Sequence, residues 1–145
     1  MADTEPKWLT LARKELGTVE IPGSRSNPTV MQYYYDVVGK KFADSVPWCA
    51  AFVGAMLTRA GEKSSGSLMA RSYTRYGDRC AAKAGAIAVW SRGGSKVYGH
   101  VNLVESVSGD RLVCIGGNQG DAVTRKVYSK SKALAFRWPT QGGAK

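Results

Sequence analysis

The strongest constraint on the fold is a change of hydrophobic period near the middle of the chain. Before it, apolar residues recur at helical spacing. Trp8, Leu11, Ala12 and Leu16 share one face of a helix expected over 4–16, with Gly17 as its stop. Asn27-Pro28 joins a capping residue to a proline suited to the first helical position. A second helix is therefore expected to run to about Val38 and stop at Gly39. A third is expected from near Pro47 to near Gly61, and its Ala50, Ala51, Gly54 and Ala55 are small enough to let it lie close to a sheet. A short fourth helix is expected over 68–76.

After the change, the period falls to two. Strands are expected over 86–90, 100–107, 111–115, 122–128 and 134–138, with Gly109-Asp110 turning the second into the third. Helices first and an antiparallel meander second make an α+β fold, with N-terminal helices packed on an antiparallel sheet formed by the C-terminal half. A length of 145 residues suits one domain over 1–140, and the tail 141–145 should fray.

Apolar residues at 43% and charged residues at 22% are those of a globular chain, which argues against disorder. No apolar run is long enough to span a bilayer, and Met1 to Lys14 lack a signal-peptide core, so synthesis and folding in a cytoplasm are expected. Three cysteines, an odd number, suit a reduced protein better than a disulfide framework. The net charge of +10 is unevenly placed: residues 1–50 hold six basic and six acidic side chains, and residues 51–145 hold fifteen and five. Such a field attracts polyanions, whether nucleic acid, anionic lipid or anionic wall polymer, although solubility alone is the plainer reading. A basic nucleic-acid-binding module would need basic residues interleaved with exposed aromatics. Arg71, Arg75, Arg79 and Lys83 recur every four residues, but Gly77-Asp78 interrupts that helix, so no specific nucleic acid is expected.

Two residues suggest chemistry. Cys49, in Pro47-Trp48-Cys49-Ala50-Ala51, stands where the third helix begins. A helix N-terminus favours a thiolate, and a nearby imidazolium favours it further. His100 is the only histidine, at the start of a strand in Gly99-His100-Val101-Asn102. Alternation puts His100, Asn102, Val104 and Ser106 on one face, and Gly99 leaves room for a close approach. A thiol and a later imidazole are the nucleophile and base of cysteine hydrolases. The plainer readings are a core cysteine and an ordinary strand histidine. A histidine base also needs an orienting group. Asn118, in Gly116-Gly117-Asn118-Gln119-Gly120-Asp121, is a candidate, with Gln119 and Asp121 as alternatives; a turn asparagine is the plainer reading. Cys114 lies in an apolar run and reads as core, and Cys80 reads as exposed. One histidine and three scattered cysteines do not make a structural zinc site, so no metal is expected.

The segments Trp48-Cys49-Ala50-Ala51-Phe52-Val53, Gly85-Ala86-Ile87-Ala88-Val89-Trp90, Gly99-His100-Val101-Asn102-Leu103-Val104 and Gly116-Gly117-Asn118-Gln119, in this order, resemble the CHAP/NlpC group of papain-like cysteine peptidases and amidases. They are most similar to its small phage-lysis members. The resemblance extends to Glu15-Leu16-Gly17 and Glu20-Ile21-Pro22-Gly23. It implies Cys49 as nucleophile, His100 as base, Asn118 as orienter and peptidoglycan as substrate, with Glu20, Trp48 and Gln119 as candidates to border the cleft. It implies a phage endolysin that accumulates in the host cytoplasm and reaches the wall through a holin; an interbacterial toxin with the same chemistry is the alternative. Some relatives carry a calcium loop of closely spaced aspartates. Here that stretch is Phe42-Ala43-Asp44-Ser45-Val46-Pro47, with one acid, so neither calcium nor another cofactor is expected. A monomer is expected, whose basic half attracts anionic envelope polymers in place of a separate wall-binding module.

Overall fold

The computed structural model describes residues 5–19, 28–39, 48–91, 99–117, 119 and 122–140. The helices are α1 (Lys7–Lys14), α2 (Pro28–Val38) and α3 (Cys49–Arg59). The strands are β1 (Asp78–Arg79), β2 (Ile87–Ser91), β3 (Gly99–Ser108), β4 (Arg111–Gly116), β5 (Thr124–Ser129) and β6 (Ala135–Trp138). The fold is α+β, with the helices packed on an antiparallel sheet. The expected glycine stops hold: Gly39 and Gly61 follow α2 and α3 with φ of 73° and 87°, in the left-handed region that glycine enters without steric cost. The expected fourth helix is a short 3-10 helix, Ala70–Arg75. Gly77, at φ 52°, then leads into β1, so Arg71, Arg75 and Arg79 do not share one helix face.

The sheet is not a simple meander. Its order is β1-β6-β2-β3-β4-β5. Strands β2 to β5 follow one another as expected, but β6 returns to the far edge of β2, pairing Ala88 with Phe136. Aromatic packing rewards that return: Phe136 meets the Trp90 ring edge-on, and Trp138 meets Trp8 of α1 with centroids 5.1 Å apart.

Both faces of the sheet are covered, and alternation along the strands decides which side chain goes where. Ile87, Val89, Val101, Leu103 and Ile115 join Leu9, Val30, Tyr33, Phe52, Val53 and Met56 in the helix-side core. Ala86, Ala88, Trp90, Val104, Leu112 and Cys114 form a smaller core on the other face, flanked by Tyr128 and Phe136. A bulge at Glu105 changes the register between Val104 and Ser106. Ser106 therefore leaves the face shared by His100, Asn102 and Val104, because the extra residue inverts the alternation beyond it.

Candidate active site

Cys49 is the first residue of α3 and is 4% exposed. Trp48 holds the cap position, with φ −125° and ψ 17°, and its side chain does not cap the helix. The dipole of α3 favours an anion at this point. Tyr73 is fully buried, and its phenol pKa is pushed up by burial and, to a lesser degree, by its electrostatic interaction with Cys49. The other two thiols sit elsewhere. Cys114 is buried in the smaller core, where burial pushes its thiol up to about 12. Cys80 is half-buried, and burial raises its pKa as well.

His100 is the second residue of β3, the strand on which α3 packs, and is 9% exposed. Register pairs it with Trp90 of β2. Its Nε2 lies 3.0 Å from Oε1 of Gln119, and the same oxygen accepts from Asn102 Nδ2 at 2.9 Å. Asn102 Oδ1 in turn accepts from the Trp90 indole N–H at 2.9 Å. Gln119 Nε2 donates to the Thr124 carbonyl at 2.8 Å. The Tyr128 ring lies parallel to the imidazole, with centroids 6.0 Å apart, and against Trp90 at 4.6 Å. Among the described residues, no buried side-chain polar atom lacks a hydrogen-bond partner, as burial of such groups demands.

The close approach expected at Gly99 is made by the protein itself. A Cβ there would stand 3.2 Å from Arg71 Cγ and 2.6 Å from the Trp90 carbonyl oxygen. Arg71 Nη2 also reaches Ser91 Oγ, the residue paired with Gly99, at 3.4 Å. A guanidinium therefore lies beside the strand end that carries His100.

Other expectations fare differently. Trp48 is wholly buried: it stacks on Tyr33 with centroids 6.0 Å apart and packs where a Gly117 side chain would be. Gln119 is 5% exposed, and its side-chain amide is engaged with His100. Glu20, Asn118, Asp121 and the Asp44 loop lie outside the described residues. The contacts that Asn102 and Thr124 make to Gln119, and the Tyr128 ring beside His100, were not foreseen from the sequence. Asn102 did carry a signal: a polar side chain two residues from the histidine, inside an otherwise apolar strand. Among the described residues, no three His, Cys, Asp or Glu side chains gather as a metal site would require.

Comparison with known proteins agrees with this architecture. No curated protein sequence matches the chain. The solved structure of Ly7917 superposes with a TM-score of 0.55 over 92% of this chain and 61% of its own, at 19% identity. A wild-type endolysin, LysIME-EF1, superposes with a TM-score of 0.51 over 80% of this chain and 65% of its own, at 15% identity. The chain thus spans less than two thirds of either structure, and the likeness is one of fold. The CHAP domain family matches residues 41–118, a stretch that contains Cys49 and His100 and more than half of the 145 residues. This chain belongs to the CHAP domain family.

Proposed function

We propose that the chain is a peptidoglycan hydrolase that cleaves an amide bond of the wall peptide by acyl transfer. The observation that carries this reading is that the CHAP match contains both a cysteine at the start of α3 and the only histidine, which stands on β3, the strand that α3 packs against. The name of LysIME-EF1, an endolysin, supports it. In this reading the Cys49 thiolate attacks the amide carbonyl carbon. The resulting oxyanion is met by N–H groups of the first turn of α3, where loss of one donor costs about a hundredfold in rate. His100 protonates the leaving amine, a thioester remains on Cys49, and water attacks it as His100 takes the water proton. The setting we propose is phage lysis, with the enzyme held in the host cytoplasm until a holin opens the membrane. Among the described residues, no helix is long and apolar enough to cross a membrane.

Mass spectrometry of purified peptidoglycan after digestion tests the reading and identifies the bond. A new free amine should appear in the wall peptide, and both Cys49→Ala and His100→Ala should abolish it while folding normally. Lysis by Cys49→Ala at the wild-type rate, or release of reducing sugar ends in place of amines, would remove the assignment.

A further inference from the structure

We infer that Gln119 is the positioning residue for His100 in the reaction proposed above, the role that family resemblance would give to Asn118, and that Gly116 is the seat that admits it. The argument rests on which atoms donate and which accept. The Thr124 carbonyl only accepts, so the Gln119 amide must turn its NH2 toward it, at 2.8 Å. That leaves Oε1 facing Asn102 Nδ2 and His100 Nε2, with the Tyr128 hydroxyl donating to it more distantly at 3.3 Å. Asn102 is pinned independently, because the Trp90 indole only donates and holds Asn102 Oδ1 at 2.9 Å. Flipping the Gln119 amide would set two NH2 groups against each other and two carbonyl oxygens against each other.

An amide oxygen cannot donate, so the hydrogen in the His100–Gln119 bond belongs to Nε2. A neutral imidazole carries one ring proton, so Nδ1 is the atom left as base. When Nδ1 gains the thiol proton, the Nε2–H bond to Oε1 persists and stabilises the imidazolium. The backbone of Gln119 is held too: its N–H donates to the Ala122 carbonyl at 3.0 Å, and Thr124 Oγ1 donates to its carbonyl at 3.1 Å. Room for the amide comes from Gly116, the last residue of β4. A Cβ there would stand 2.5 Å from Gln119 Oε1 and 2.7 Å from Asn102 Cβ, so any other residue displaces the amide or the strand. Burial of Gln119 at 5% and Asn102 at 0% keeps water from replacing these bonds.

Since His100 is the only histidine, nitrogen NMR of the imidazole reads its tautomer without assignment ambiguity and without any activity. The wild-type protein above its ring titration should show the proton on Nε2. Gln119→Met should give a mixture of tautomers. Gly116→Ala, which leaves Gln119 chemically intact, should give the same mixture. Gln119→Glu should keep the Nε2–H form and move the ring titration to higher pH, because a carboxylate favours the cation. On the wall substrate, Gln119→Met should lower kcat about tenfold to a hundredfold with KM little changed, and Gln119→Glu should recover part of it. A wild-type ring protonated on Nδ1, or a Gly116→Ala ring identical to wild type, would overturn the inference whether or not the protein cleaves peptidoglycan. The expected tautomers in a protein inert on wall would sink the proposed function instead.

Discussion

Arg13 of α1 donates from Nε to Glu105 of β3 at 2.7 Å, tying the first helix to the sheet at the bulge. Arg125 of β5 donates to the other carboxylate oxygen at 2.6 Å, and Arg13 also pairs with Glu5. The bulge frees Glu105 from the strand alternation and lets it meet both arginines. Its carboxyl is held below the usual glutamate range, first by the hydrogen bond from Arg125 and then by that from Arg13. A depressed carboxylate contributes stability that is present above its unfolded pKa, about 4.3, and is lost as pH falls through the lower folded value. Glu105→Gln should therefore cost about 1 kcal/mol at pH 7, the arginines being partly solvent-screened. The gap from wild type should close toward about pH 2. Urea melts across that range would measure it, and a gap independent of pH would show that packing, not charge, is at work.

The three thiols should separate by reactivity. A thiol pushed up to about 12, as at Cys114, has almost no thiolate near neutral pH, and Cys80 is raised by burial too. Iodoacetamide at about pH 7 should label Cys49 first, and loss of lysis should track that label alone. Peptide mass spectrometry would give the order. Labelling of Cys80 with full loss of activity while Cys49 stays unmodified would displace Cys49 as nucleophile.

Gly54 lies inside α3, where replacement by alanine would ordinarily stabilise a helix by about 1 kcal/mol. Here a Cβ would fall 2.6 Å from Val37 Cγ2 on α2 and 3.2 Å from the Tyr73 hydroxyl. Valine is stiff about χ1, so the methyl cannot swing aside cheaply. Gly54→Ala should destabilise the protein by about 1–3 kcal/mol, and adding Val37→Ala should restore part of the loss. Thermal melts of the single and double variants decide this. A more stable Gly54→Ala would mean that α2 and α3 separate without cost.

The local signals in the sequence are strong where one physical rule acts alone. Pro28 and Gly39 bracket α2 because a fixed φ suits a helix start and a left-handed residue suits its end. Period-two alternation places β2 to β6 to within about two residues, because successive side chains of a strand point to opposite faces of the sheet. The return of β6 to β2 was not legible, since it depends on contacts such as Trp8–Trp138 between residues 130 positions apart. The bulge at Glu105 was hidden for the same reason, since the arginines that Glu105 meets there stand on α1 and β5, far away in sequence. At the site, Cys49 and His100 stand out by residue type and position. The choice of Gln119 as acceptor does not, because it depends on the empty space at Gly116 and on the donors around the amide.

The last prediction concerns charge. All of the net +10 comes from residues after Ala50, and the structure spreads that excess over different edges of the sheet. Arg79 lies on the edge strand β1, with Arg75 four residues before it, and both are exposed. Arg111, Lys130 and Lys132 are exposed near the opposite edge, where Arg111 pairs with Ser129 of β5. Arg71 and Lys83 are poorer choices for a charge test, because Arg71 lies against Gly99 and Lys83 sits 4.3 Å over the Trp138 ring. If the basic half draws the protein to anionic envelope polymers, Cys49→Ala protein should pellet with purified wall at low salt. Release should be steep as the screening length shortens from about 30 Å at 0.01 M to about 8 Å at 0.15 M. Reversing Arg75 and Arg79 to Glu, or Arg111, Lys130 and Lys132 to Glu, should each weaken low-salt binding. Neither set touches Cys49, His100 or Gln119, so turnover on a small soluble wall peptide should hold. Binding that ignores both salt and the reversals would place recognition in the neutral first third of the chain or in the cleft itself.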